Sequence, residues 1–394
     1  MKKIGMKKQI LLVFAAVLAA VAASAQGRNT RDGGPDGDYA SLLGKVSALE
    51  KKTEAFNVFI NYAGAWQAAE SAGDWTSAFR NRQLRLEMKG SFGDHLSYRL
   101  RHRLNRSNVA MDGDNFSKAT DLMLVGWTFN EKWSVSAGKL CEIWGGFEYD
   151  ENPMFIYQYS DFVDAMDIFK AGAMVSWYPV PSQELALMVC NTYNGSFAQE
   201  YGNALLEDGT QAVASARPMT YILNWNGTFA DGILATRWSV GRQVQAKGYC
   251  ADVISLGQQL TLPGLRWFVD YMEERDDIDL LRIATADRGG AAYACDVRYR
   301  SLTTEALCTF APKWALRVKG SYETVSASGN FRNYRTSVGG VGTLEFYPVK
   351  DQDLRLFAAY VGRAHRFSEA CGIKEADGMT HRLELGIMYR IKAY

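Results

Sequence analysis

Proline and histidine are scarce in this chain of 394 residues, at 8 and 4. The histidines, His95, His102, His365 and His381, form no HExxH pair and no tight cluster, so no zinc-hydrolase centre is implied. Cys141, Cys190, Cys250, Cys295, Cys308 and Cys371 lie far apart with no CxxC spacing. That excludes a metal ribbon and a dense disulfide framework, while one isolated bridge stays open. There is no GxSxG elbow and no P-loop, and the glycines of SVGGVGTLE (337–345) sit in a strand pattern, where they read as wall or bend. No Ser/His/acid constellation appears. The chain reads as a non-enzyme with no cofactor and no metal.

Two further absences matter. Beyond the first 25 residues there is no run of about 20 apolar residues, so no membrane-crossing helix is visible. A charge excess is missing as well, with 44 basic against 43 acidic side chains. No overall basicity supports nucleic-acid binding.

What is present begins at the start. MKKIGMKKQILLVFAAVLAAVAASAQ has a basic segment, an apolar segment from Ile10 to Ala20 and a small-residue Ala23-Ser24-Ala25 site, the pattern of an export signal cut before Gln26. Without residues 1–25 the chain carries a formal charge of −3. Residues 26–54 read as a tether followed by a short helix, in which Leu42, Val46, Leu49 and Thr53 make a heptad stripe. The stripe fits a coiled-coil seam or a single amphipathic helix equally well.

From Ala55 to the end, residues 55–394, helical period gives way to period two. Apolar and polar residues alternate through segments of roughly 10 to 14 residues, the length of a tilted membrane-spanning strand. Short connections such as FNEK (129–132), LPG (262–264) and APK (311–313) alternate with long polar ones at 67–78, 106–118, 141–162, 194–216, 274–290, 326–333 and 368–380. One tight outer turn near Lys247 restores the alternation where the pattern blurs. The count is about 16 strands. The fold class is all-β, a transmembrane antiparallel barrel with long loops on one side.

Side-chain parity then specifies an interior. In HLSYRLRHRLNR (95–106), Leu96, Tyr98, Leu100 and Leu104 share one face, and Arg99, Arg101 and Arg103 the other. An arginine facing lipid at the midplane costs around 2–4 kcal/mol, so this ladder must face the lumen. The same parity sends Arg85, Glu87, Lys89, Arg317, Lys319, Arg355, Arg363, Arg382, Glu384 and Arg390 inward, with Arg237, Arg266, Arg298, Arg300 and Arg335 assigned alike. Such a wall concentrates anions, because guanidinium donors match carboxylate and phosphate oxygens. The alternative is that acids such as Glu87, Asp270, Asp296, Glu323, Glu345 and Glu384 staple the arginines in place.

The heptad helix, the segment SVSAGKLCEIWGGFEYDENP (134–153) and the final strand HRLELGIMYRIKAY together resemble the phosphate-selective porin O and P family, in its Bacteroidota-type form. The resemblance implies a homotrimer of 16-stranded outer-membrane barrels, with contacts to membrane lipid and a third outer loop, here 142–165, folded into the lumen. It places Lys139 just before that constriction loop. The loop carries Glu142, Glu148, Asp150, Glu151, Asp161 and Asp164 and no basic residue, unlike a phosphate site. The expected function is passive diffusion of small hydrophilic, anionic solutes, along Arg85, Arg99, Arg101, Arg103, Lys139, Arg317, Lys319 and Arg355. The rival is an occluded structural or adhesion barrel that binds partners through its outer loops.

Overall fold

The computed structural model describes residues 55–71, 73–349, 352–373 and 377–393. The export signal, the tether and the heptad helix lie outside the described residues.

Period-two alternation produces strands throughout. The first quarter holds β1 (Asn57–Ser71), β2 (Asp74–Phe92), β3 (Leu96–Arg103) and β4 (Thr120–Asn130). Then come β5 (Trp133–Cys141), β6 (Phe169–Val180), β7 (Gln183–Asn191) and β8 (Met219–Phe229). The second half opens with β9 (Leu234–Ala246), β10 (Tyr249–Leu262), β11 (Leu265–Ile278) and β12 (Cys295–Ala311). It closes with β13 (Trp314–Ser326), β14 (Arg335–Phe346), β15 (Asp353–Phe367) and β16 (Gly378–Lys392). Every strand pairs antiparallel with its sequence neighbours and β16 closes on β1, making one barrel of 16 strands. Closure leaves no open seam at the chain ends, which a hydrocarbon surround demands.

The long connections all lie at one end, and the turn at 247–248 between β9 and β10 is there too. The first outer connection differs from the expectation of a loop over 67–78. Those residues continue as a hairpin, with Trp66 opposite Phe79 and Glu70 opposite Trp75. Gly73, at φ +92°, makes the turn, and its N–H donates to Glu70 Oε1 at 2.6 Å. Polar composition suggested a loop there, but continuous cross-strand pairing, with Trp66 facing Phe79, and a glycine able to adopt positive φ make a ribbon.

Leu223, Val240, Leu302 and Leu385 are exposed on the outer face, while the lumen is packed. Residues 142–168 fold inward, and Trp144, Tyr149 and Phe162 are buried against Met174, Met188, Ile222 and Tyr299 of the wall. The core of this molecule is therefore a loop inside a barrel.

Candidate functional site

The third outer loop approaches the wall first at Trp144-Gly145-Gly146. The two glycines have φ +72° and +85°, and a Cβ at Gly145 would meet the Arg237 carbonyl oxygen at 3.1 Å. On the wall side, a Cβ at Gly257 would come within 2.9 Å of Gly146 Cα. Glycine on both surfaces permits this close passage. Asn224 Nδ2 donates to Ile143 O at 2.9 Å, and Ser239 Oγ donates to Trp144 O.

From there four loop acids meet wall cations. Asp150 pairs with Arg237 and Glu148 with Lys319. Glu151 Oε1 accepts from Arg266 and from Arg317, both at 2.9 Å. Asp161 contacts Arg363 at 2.6 Å and Arg335 at 3.1 Å. Wall carboxylates reciprocate: Glu323 accepts from the backbone N–H groups of Asp161 and Phe162, and Asp270 from that of Glu148. The acid-free stretch 153–159 is held by its carbonyls. Arg355 donates to Met154 O, Arg82 and Arg382 to Tyr157 O, and Arg363 to Tyr159 O.

Glu142, at the root of the loop, is one exception. Its carboxyl is buried and accepts from Trp144 Nε1 at 2.9 Å and from Cys190 Sγ at 3.6 Å. Burial pushes it up to about 7, against the pull of Lys170. Asp164, also on the loop, is raised by burial.

Among the expected anion-path residues, Arg317, Lys319 and Arg355 thus lie under the loop. Arg317 also contacts Glu305, and Glu345 at 3.4 Å. Lys139 points to Asp114 of the second outer loop at 3.3 Å and stands 5.3 Å from the Phe116 ring. Arg99 is taken by Glu87 at 2.6 Å. The remaining three come together. Arg85, Arg101 and Arg103 converge on one carboxylate, Asp121, at 3.4, 3.1 and 2.6 Å. Arg103 keeps 24% of its side chain accessible, the most of the three.

Two residues of this arrangement were hidden from parity reasoning. Asp121 shares sequence parity with the exposed Met123, Val125 and Trp127, yet it is buried. A bulge between Arg101 and His102 leaves Asp121 unopposed and turns it inward. Arg82 shares parity with Leu84, and a bulge opposite Ala63/Gly64 turns it toward the loop. A single extra residue reverses parity, and nothing in composition marks it.

Arg298, Arg300 and Asp296 correct the expectation in the other direction. On β12 the inward residues are Val297, Tyr299 and Ser301, all buried, so Arg298 and Arg300 face outward and Asp296 is exposed. This upper part of the wall packs the inserted loop on its inside, so the apolar side chains point in and the rule derived from lipid is inverted.

A closed 16-stranded barrel with alternating tight and long connections, and a third outer loop tucked inside, defines an outer-membrane porin. The chain belongs to the phosphate-selective porin O and P family, whose sequence model matches residues 57–391. Its fold is similar to the outer-membrane channel DcaP of Acinetobacter baumannii, at TM-score 0.60 and 10% identity over 85% of this chain and 97% of that one. It is also similar to an anion-selective porin from Comamonas acidovorans, at TM-score 0.55 and 11% identity over 85% and 99%. OmpT of Vibrio cholerae matches at TM-score 0.54 and 12% identity over 86% and 99%. Comparison with curated proteins gives no match.

Proposed function

We propose that this porin passes small hydrophilic solutes passively and favours anions, phosphate-like oxyanions among them. One observation carries the reading: Arg85, Arg101 and Arg103 share the single carboxylate of Asp121, a local excess of two positive charges on the lumen wall. Excess guanidinium in a low-dielectric lumen attracts anions and offers them forked donors. In this reading Arg99 adds to the ladder, and Lys139, Arg317, Lys319 and Arg355 shape the path by holding the loops. The acidic loop repels a passing anion little, because Glu148, Asp150, Glu151 and Asp161 are paired with wall cations.

The test is reversal potential across a planar bilayer in a salt gradient, with and without phosphate. Anion-selective current reduced by millimolar phosphate supports the proposal, and Arg101→Ala is expected to lower the anion-to-cation permeability ratio several-fold. An unchanged ratio in Arg101→Ala removes the ladder from the mechanism.

The fastening of the third loop around the lumen favours a second reading, a barrel occluded by that loop. Absence of conductance in the wild-type protein would select it.

The same proposal includes a homotrimer exported by removal of residues 1–25. One of the similar structures is described as a trimer form of OmpT. In this chain β2 pairs with β3 only from Arg85 onward, so residues 74–83 have a partner on one side alone. Trp75 and Phe79 on that stretch are 55% and 88% exposed. An open strand edge is not tolerated in lipid, and a second copy of the chain would cover it.

A further inference from the structure

The outward arginines raise a question of their own. A lipid-facing wall has no use for guanidinium, yet Arg275, Arg298 and Arg300 all point outward and all converge on Glu273. Arg275 Nε and Arg298 lie 2.8 and 2.6 Å from Glu273 Oε1, and Arg300 Nε lies 3.1 Å from Oε2. Tyr271 donates its hydroxyl to the same carboxylate at 2.6 Å. Glu273 is nearly buried beneath them, whereas Arg298, Arg300 and Arg275 keep 36%, 39% and 63% of their side chains accessible.

Height along the wall identifies the surroundings. On β12 the outward residues below Arg300 are Leu302, Thr304, Ala306, Cys308 and Phe310, with Leu302 and Phe310 exposed. Ten residues at about 3.3 Å rise, tilted by about 40°, put Arg300 roughly 25 Å above Phe310, the height of the apolar band of a barrel. The cluster therefore stands at the outer boundary of the hydrocarbon, on the side of the long loops. Ile254 beside Glu273, and Leu256, Leu302 and Tyr322 beneath it, are exposed apolar side chains. The layer at that level holds lipid headgroups.

Charge balance at that level favours an anion. Three guanidiniums share one carboxylate, leaving two positive charges and most of their N–H donors unmatched. Of the other acids on this face, one is neutralised and two stand further from the apolar band, so the excess lies at the lower level. Asp252 is neutralised by Arg242 through two bonds of 2.7 and 2.8 Å, whereas Asp277, which accepts the Cys250 N–H at 2.7 Å, keeps its charge two residues beyond Arg275 on β11. Asp296 stands beyond Arg298 on β12, further from the apolar band.

We propose that Arg275, Arg298 and Arg300, braced on Glu273, form an outward-facing site for a phosphate group on an outer-leaflet lipid. Forked donors match phosphate oxygens, Glu273 fixes the guanidinium planes, and the exposed apolar surface below accepts the acyl chains. In the ring of 16 strands, β11 lies seven strands from β2 by the way of β16, nearly opposite the unpaired edge. The site consequently faces lipid in a trimer built through that edge.

Native mass spectrometry of the full-length barrel in detergent tests this with a bisphosphorylated lipid A, its dephosphorylated counterpart and inorganic phosphate. Wild type is expected to retain the bisphosphorylated lipid at least tenfold better than the dephosphorylated one. The pair Arg298→Gln and Arg300→Gln should abolish that difference, while Arg298→Lys with Arg300→Lys keeps part of it. Channel conductance, which these outward residues do not touch, serves as the check that the barrel is intact. Equal retention of both lipids by wild type, or an intact glutamine variant that still discriminates, overturns the proposal. Displacement of bound lipid A by millimolar inorganic phosphate also overturns it, because the site would then belong to the free anion.

Discussion

The two sides of the lumen use arginine for different ends. Along β9 to β15, guanidiniums meet acids in matched sets: Arg237 with Asp150, Arg266 and Arg317 with Glu151, Arg335 and Arg363 with Asp161. Along β2 to β4, Arg85, Arg101 and Arg103 crowd one acid. The residue type is the same and the parity is the same. What differs is the ratio of donors to carboxylates: the loop offers its acids to β9–β15, and to β2 only the carbonyls of its acid-free stretch. Matched arginines fasten the loop; in the proposed function the surplus on β2 and β3 is what draws an anion, with Arg103 the most accessible of the three.

The largest break in this comparison should come from Arg317→Ala. It strips a buried guanidinium from Glu151, Glu305 and Glu345. Glu151 and Glu305 are then left to share Arg266, and Glu345 keeps Arg355 at 3.8 Å. Breaking a buried ion pair by removing one partner costs about 3–5 kcal/mol. A urea midpoint for the barrel in vesicles should fall accordingly, and an unchanged midpoint would mean the loop is held elsewhere.

A smaller effect attaches to Glu142. Its folded carboxyl titrates near 7, above the ordinary carboxylate range, because it is buried. The folded state thus binds this proton more tightly than the unfolded chain. The resulting stability is complete below about pH 4.5 and is lost as pH rises through 7, amounting to about 1–3 kcal/mol. Urea unfolding between pH 5 and 8 should show this loss in wild type and little of it in Glu142→Gln. Equal slopes in both proteins would sink the assignment.

On the ladder side, Asp121→Asn sharpens the contrast. Removing the one carboxylate among three guanidiniums should increase anion preference by a few-fold in reversal-potential measurements, about 1 kcal/mol or less. Least of all, Lys139→Ala should alter that preference marginally, since Lys139 is engaged by Asp114 and Phe116. A large effect there would move the anion path toward the second loop.

Much of this molecule was legible beforehand because the bilayer imposes a simple rule. Strands such as HLSYRLRHRLNR display lipid-facing leucine against lumen-facing arginine, and short connections alternate with long ones. Sixteen strands, the tight turn at 247–248 and the inward ladder on β2 and β3 all followed. The rule failed where its physical basis was missing. At 67–78 a polar composition concealed a hairpin, because cross-strand pairing is not marked by local composition. At Arg298 and Arg300 the wall rises past the apolar band, so parity no longer separates lipid from water.

The barrel, the face of most strands and the chemistry lining the lumen follow from local pattern, because a two-residue repeat against lipid leaves few alternatives. Tertiary structure alone decided which arginine meets which acid. Glu151 is 166 residues from Arg317, and Glu148 is 171 from Lys319. Two bulges turned Arg82 and Asp121 inward against their parity. Pairings over such separations depend on how one loop lies inside a closed wall, which no local pattern encodes.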